Sequence, residues 1–486
     1  MSLLGEWMTK CQTHIYYIAL DGRGDQEVSP HNGSSSEIVH ESTPQQLNGG
    51  ETMAPINGFA TQEPLIGGGW PIFRVPGLPA HVREVDKGAY TPKIVSIGPF
   101  HRNYQPSSLK AFEIQKKRFL SRLQKRITSS EVHLENAMKE MEEKTRECYS
   151  EDFGGIKSED FVQMMLLDGC FIVELLRLYT TMTTAYKGNV DAEPILETRW
   201  MLPNIGRDLL MLENQLPMFV LQKIYEITTT FDNEATDPLN KLALRFFEPL
   251  RPGKDKLKEH VLNTREKQKH PHLLALFHST FISTTQKPSS LSEKDEQSKW
   301  ETIHGKVWAL NAKKLTYAGV RFQNKSGDFL DIEYNSPHLK IPTLFIDDGT
   351  STLLRNLIAY EQSNRGAESY FSCLAVFMDS IVDTVDDIKI LHRAGIIKQL
   401  RGSDQEVVDL FNSLTKGVEI DMDNCYIKEQ IIHINSRCRA HDTMVRFRHF
   451  LSSTINLTHI ISTYQSAILT FISIWLFIKH ILADQD

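Results

Sequence analysis

The chain has 486 residues, with 54 lysines and arginines against 61 aspartates and glutamates, a formal charge of −7, and 41% hydrophobic and 24% charged residues. These are ordinary globular values, and they exclude collagen-like, wholly disordered and small disulfide-stapled classes. The mild negative balance gives no overall attraction to phosphate, so no nucleic-acid partner is expected and an anionic surface would have to be met by a local patch.

The first twenty residues lack an uninterrupted apolar stretch, because Glu6, Lys10 and His14 break it, and no cleaved signal peptide is expected. From Asp21 to Pro71 the composition is Gly, Ser, Pro, Asn, Gln and Glu without periodicity, so residues 1–71 read as a disordered leader. Gly67, Gly68 and Gly69 close it as a linker rather than a phosphate cradle, since no helix start follows them. Ordered structure is expected from Ile72 to about residue 455 as one large helical domain, beginning with short extended pieces and turns.

Ser107 to Arg126 places Leu109, Phe112, Phe119 and Leu123 near one face of an amphipathic helix. Between Lys93 and Arg126 nine lysines and arginines face one acid, Glu113, a local balance of 9 − 1 = +8. The acidic helical stretch that follows, Val132 to Ser150, is the expected source of neutralisation. Phe161 to Tyr179 is apolar on nearly every side and predicts a central buried helix. Asp168 and Glu174 within it need partners, and Arg177 is the nearest candidate. Pro217 splits Ile205 to Ile227 into two helices meeting at Glu213 to Leu216, where Glu213, Asn214 and Gln215 are expected to be architectural polar anchors.

Arg251 to Trp300 reads as a charged insertion bearing one short helix at His272 to Phe281. The spacing of His270, His272 and His278 does not match a zinc site. Alternation from Ala318 to Ile346 predicts a small sheet, after which Asp347 and Asp348 stand where carboxylates cap a helix start. Helical spacing returns at Ser351–Gln362, Phe377–Ile396 and Ser403–Gly417. Asp379, Asp383, Asp386 and Asp387 form a stripe expected to face away from Ile381, Val385 and Ile388 as a solvated surface.

Residues 456–486 carry the apolar run Ala467 to Ile478, twelve residues and too short to span a bilayer. Extended back to Leu457 it reaches 22 residues, about 33 Å of helix, and Arg446 and Arg448 upstream favour a cytoplasmic body with a single-pass tail anchor. The alternative is a soluble scaffold in the cytoplasm with the run buried as a terminal helix. Six cysteines show no CxxC pair, and Cys170 and Cys373 lie in apolar runs, so a reducing environment is expected. The chain has no P-loop, dinucleotide fingerprint, HExxH, GxSxG or EF-hand pattern. It is therefore not expected to be an enzyme, and no catalytic, cofactor-binding or metal-ligating residue is assigned. A hydrolase or transferase with an unrecognised site would have to join Asp168, Glu174 and the His272 region.

The segments VSIGPFHR, LLDGCFIVELL, DLLMLENQLPMFVL, AGVRFQ, FLDIEYNSPHLKIPTLFIDDGTSTLLRNLIAYEQ and SIVDTVDDIKILHRAGIIKQLRGSDQEVVDLFNSL occur in this order. Together they are similar to the plant-specific domain-of-unknown-function 247 family, also called uncharacterised protein family 0481, from about Ile72 to Ile478. The resemblance implies a plant protein with a C-terminal membrane segment, no established enzymatic activity and no catalytic residue to carry over. Some grass relatives determine self-incompatibility on the pollen side, which implies recognition of a protein partner. This chain departs from the family where Asn456 is followed by Leu457 and Thr458 rather than Pro and Trp.

Overall fold

The computed structural model describes residues 72–74, 83, 85–102, 107–126, 131–184, 193–229, 237–253, 256–265, 268–281, 310–364, 366–420 and 425–483. Along the last helix the side chains are described at 428–446 and 462–476. The expected leader at 1–71, with its glycine triplet, and the insertion residues 282–300 lie outside the described residues. All the described elements belong to one compact unit, 70–486.

After a short turn at Lys87–Tyr90 the chain is mainly helical. The first helices are α1 Ser107–Arg126, α2 Glu131–Arg146, α3 Ser158–Thr184, α4 Pro194–Glu197, α5 Met201–Leu209 and α6 Met218–Thr229. Then come α7 Leu239–Phe247, α8 Glu259–Arg265, α9 Leu273–Ser279 and α10 Ala312–Tyr317. Strands β1 Arg321–Lys325, β2 Glu333–Asn335, β3 His338–Pro342 and β4 Leu344–Ile346 lead into α11 Thr350–Ser363, α12 Tyr370–Ile381 and α13 Val385–Arg393. The chain closes with β5 Ile397–Gln399, α14 Asp404–Leu414 and α15 Lys428–Ala483.

Helix α3 is the expected centre. Glu159 and Asp160 sit in its first turn, where the free N–H groups and the dipole favour them. Its apolar circumference, from Phe161 to Tyr179, is buried against α1, α2, α6 and α7. Helix α1 contributes Leu109, Phe112, Phe119 and Leu123 to that core, with Phe171 edge-on to both Phe112 and Phe119. The break between α5 and α6 falls at 210–217, as Pro217 dictates.

Several expectations need correction. Among the described residues no base of α1 pairs with an acid of α2, and Lys116, Arg118 and Arg122 meet more distant acids. Lys116 meets Asp168 at 2.7 Å, Arg122 meets Glu174 at 3.3 Å, and Arg118 lies 3.6 Å from Glu193. The region from 251 is not simply a loop-bearing insertion, because α8 precedes the expected helix and α9 is core, with Leu273 to Phe277 all buried. The single sheet expected at 318–346 is two. In one, β3 lies between β1, parallel to it, and β2, antiparallel to it. In the other, β4 runs parallel to β5, which the helical spacing through Ile396 had hidden. A parallel pair requires a crossover, and α11 to α13 provide it.

The aspartate stripe also divides. Val382 ends α12 and Thr384 begins α13, so the four acids do not share a helix. Asp387 is fully buried and completes a capping box with Thr384, accepting from the Thr384 N–H (2.9 Å) and hydroxyl (2.8 Å) and from Lys313 N–H of α10 (2.8 Å). Asp386 is exposed and paired with Lys313. Asp387→Ala is expected to lower stability by about 2 kcal/mol, since it removes the side-chain cap from two helix starts, whereas Asp386→Ala should leave the melting temperature unchanged. Thermal denaturation of the two variants side by side checks this.

Helix α15 includes the apolar tail. Its root is docked through buried Ile431, Ile434 and Cys438, near β2. From Ser462 to Leu476 every described side chain is exposed. The expected single-pass anchor is not confirmed: among the described residues no helix is long and apolar enough to cross a membrane.

Candidate functional site

The densest concentration of buried polar chemistry surrounds an irregular segment, residues 91–101, with the sequence TPKIVSIGPFH. It is neither helix nor strand, so its backbone donors have no ladder to join. Side chains from the α5–α6 junction serve instead. Asp208, near the end of α5, accepts from Lys93 N–H (3.0 Å), Ile94 N–H (2.6 Å) and Val95 N–H (2.9 Å). Asn214 accepts from Ile97 N–H at 2.6 Å and donates to the carbonyls of Val95 (3.0 Å) and Asp208 (2.9 Å). Asp168 of α3 accepts from Gly98 N–H at 2.9 Å. Gly98 has φ +69°, and a Cβ there would stand 2.8 Å from the Gln215 carbonyl oxygen, so only glycine fits.

The junction is itself tied to its surroundings. Gln215 donates to the carbonyls of Leu209 and Met211, both at 2.7 Å, and accepts from Leu274 N–H of α9 at 3.2 Å. Leu212 N–H donates to Asn356 of α11 at 2.9 Å, and Asn356 in turn donates to the Ala89 carbonyl at 2.8 Å. Glu213 is fully buried and receives both Arg83 guanidinium nitrogens, at 2.5 and 3.2 Å, with His101 Nε2 3.6 Å away. Burial, with Arg74 and Arg83 nearby, drives the His101 pKa down to about 4. Burial also pushes the Asp208 carboxyl up to about 6, against the pull of the three amides it accepts from.

Among the residues singled out from sequence, Glu213, Asn214 and Gln215 are brought together as expected. Asp168 finds Lys116, which also reaches the Ser96 carbonyl (2.5 Å) and Glu113 (2.6 Å), and burial raises the Asp168 pKa. Glu174 pairs with Arg122, while Arg177 turns to the Tyr225 carbonyl and Thr229 hydroxyl with its guanidinium over the Tyr225 ring. His272 caps α9, its Nδ1 accepting from Ala275 N–H at 3.2 Å. His278 contacts Glu361 at 2.8 Å, and Glu361 also accepts from Phe371 N–H (2.8 Å) and Ser372 N–H (2.7 Å) at the start of α12. Among the described residues Asp168, Glu174 and His272 meet separate partners, Lys116 with Gly98, Arg122, and Ala275 respectively. Sequence reasoning missed Asp208, Lys116, His101 and Glu361, whose partners lie tens to more than a hundred residues away in the chain.

Asp347 does not cap α11, whose N-cap is Gly349 without a side-chain cap bond; it holds the turn before the helix, accepting from Gly349 N–H (2.9 Å) and the Thr350 hydroxyl (3.0 Å) while pairing with Arg207 at 2.8 Å. Asp348, expected beside it as an anchor, is 66% exposed and pairs only with exposed Arg401. Among the described residues no cluster of three metal-ligating side chains occurs. The best-formed cavity described, between β1, β3 and Lys398, has a volume of about 40 Å³, room for a few waters.

The fold and this hub define a class: a large helical domain whose buried carboxylates and amides are spent holding its own irregular backbone. The chain belongs to the DUF247 family, plant proteins of unknown function, which it matches over residues 72–472. It is 30% identical to the UPF0481 protein At3g47200 of Arabidopsis thaliana, covering 83% of this chain and 86% of that one. It is 23% identical to the putative UPF0481 protein At3g02645 of the same plant, covering 68% and 76% respectively. No solved structure matches.

Two predictions follow from the hub. Glu213→Ala leaves Arg83 facing a buried void and is expected to cost about 3 kcal/mol, whereas Asp348→Ala should barely move the melting temperature. Calorimetry on both variants reads the contrast. The second concerns pH: burial pushes His272 down to about 3 and His270 to about 4. The unfolded chain, with histidines near 6.5, binds more protons than the folded one in that window, so stability is full above about pH 6.5 and is lost as pH falls towards these values. Asparagine can take over the cap, so His272→Asn should flatten that decline by about 1.4 kcal/mol per pH unit. Denaturation midpoints measured from pH 7 to 5 would sink this assignment if both proteins fell in parallel.

Proposed function

We propose that this chain is a plant protein held at a membrane by its C-terminal helix, with a cytoplasmic body that acts by recognising another protein rather than by catalysis. The observation that carries the membrane part is the exposure of the α15 tail. Ile468, Leu469, Phe471, Ile472, Ile474 and Leu476 are 49–78% exposed. At 3.6 residues per turn these positions cover an arc of about 220°, wider than a single stripe, with Ser466, Thr470 and Ser473 on the remaining side. An exposed apolar arc covering more than half of a projecting helix suits lipid better than a protein groove, which contacts one narrow face. Trp475 is 58% exposed in the same stretch.

The recognition part rests on family membership and on how the buried acids are used. Asp168, Glu174, Asp208 and Glu213 are engaged with bases and backbone amides of the domain itself. The surface helices are then what the protein offers to a partner.

Carbonate-washed membrane fractionation in plant cells tests the reading, comparing the full chain with an Ile468→Ser, Phe471→Ser, Ile472→Ser, Leu476→Ser variant and with a chain ending at Ser453. The full chain is expected in the pellet, and both altered chains in the supernatant. A soluble full chain, or a variant that stays in the pellet, overturns the proposal.

A further inference from the structure

We propose that the exposed face of α1 reads anionic phospholipid headgroups and so selects the membrane surface on which the protein sits. This rests on the membrane reading above and adds the lipid that is recognised. With Leu109, Phe112, Lys116, Phe119 and Leu123 buried, the opposite face presents Lys110, Ile114, Lys117, Arg118, Ser121 and Lys125 to solvent. They recur at intervals of three or four residues, one face of a helix about 22 Å long from Lys110 to Lys125.

The acids near this face are already committed. Glu113 is bonded to Lys116 at 2.6 Å, and Glu193, almost wholly buried, lies below Arg118 and Arg122 at 3.6 and 3.8 Å. Lys110, Lys117 and Lys125 form no ion pair among the described residues. Ile114 stands among these cations at 68% exposure, unusual for an isoleucine on a helix whose other large apolar residues are covered. Basic side chains flanking an exposed apolar one are the chemistry of the headgroup layer, where ammonium groups meet phosphate and carboxylate while the apolar side chain enters the acyl boundary. The chain as a whole is −7, so its net charge opposes approach to such a surface and the attraction must come from this stripe. An acidic protein surface would satisfy the lysines but gives Ile114 no apolar layer to enter.

The test is co-sedimentation of the full-length protein with phosphatidylcholine vesicles, with and without phosphatidylserine, at low ionic strength. The parent is expected to partition about tenfold more strongly onto the anionic vesicles, with the gain lost in added salt. Lys110→Gln, Lys117→Gln, Lys125→Gln should abolish the gain. Lys389→Gln, Lys398→Gln, Lys416→Gln, which makes the same change in net charge elsewhere on the surface, should keep it. No gain in the parent, a gain that survives in the α1 variant, or equal loss in both variants overturns the proposal, the last assigning the effect to overall charge. Binding to the neutral vesicles reports on the α15 tail alone. Its absence beside an intact phosphatidylserine gain overturns tail insertion and leaves the α1 assignment standing.

Discussion

A buried stretch of backbone without regular structure is the constraint around which the rest of this domain is arranged. Residues 93 and 94 lead inward and 95–98 run through the core, none of them in a strand, and each orphaned buried amide there would cost about 1–3 kcal/mol. Asp208, Asn214 and Asp168 answer those amides from three separate points, the end of α5, the α5–α6 junction and the middle of α3. Each answer fixes an element. The junction between α5 and α6 cannot straighten into one helix without withdrawing Asn214, and α3 cannot rotate without withdrawing Asp168. Through Leu212 and Asn356 the same junction grips α11, which grips Ala89 at the start of the segment, so the arrangement closes on itself.

The charges inside the hub obey the same constraint. A carboxylate at the centre of α3 is tolerable because Lys116 arrives from α1 and divides its three donors among Asp168, Glu113 and the Ser96 carbonyl. The basic character of α1 is thus two things at once. Its inward members, Lys116 and Arg122, neutralise α3, and its outward members are left for the solvent side. Summing charge along 93–126 merges these two populations, and only the helical face on which each residue sits separates them.

Local signals were readable in the sequence. The amphipathic stripe of α1, the apolar circumference of α3, the Pro217 break, and the Ser403 and Glu406 pair that opens α14 depend on residues within a turn or two of each other, and each stands where its spacing puts it. Signals that depend on distant partners were not. The β5 strand has three residues and no alternation long enough to detect, and it exists because β4 lies beside it. Asp387 looks like any other acid in a run of four, and only Thr384 at a new helix start, with α10 arriving across it, buries the carboxylate. Asp208 carries no sequence mark at all, since its ligands are backbone amides more than a hundred residues earlier. Arg177 was the obvious partner for Glu174 by proximity, but Arg122 approaches from the neighbouring helix and Arg177 is drawn to the Tyr225 face.

Helices α3 and α15 pose the same puzzle to a reading of hydropathy, because each contains a run that is apolar over most of its circumference. Their polar inventories resolve it. Asp168, Glu174 and Arg177 punctuate α3, and an ionised group inside an apolar helix needs a counterpart at fixed distance and angle, which only a folded neighbour supplies. Ala467 to Ile478 contains no ionisable side chain, so nothing in it requires a partner of defined geometry. The structure follows that division: α3 is enclosed by four helices that bring Lys116, Arg122 and Tyr225, whereas the described side chains of α15 from Ser462 to Leu476 are all exposed. Buried charges therefore mark α3 as a helix that needs folded neighbours, a requirement that Ala467 to Ile478 does not carry.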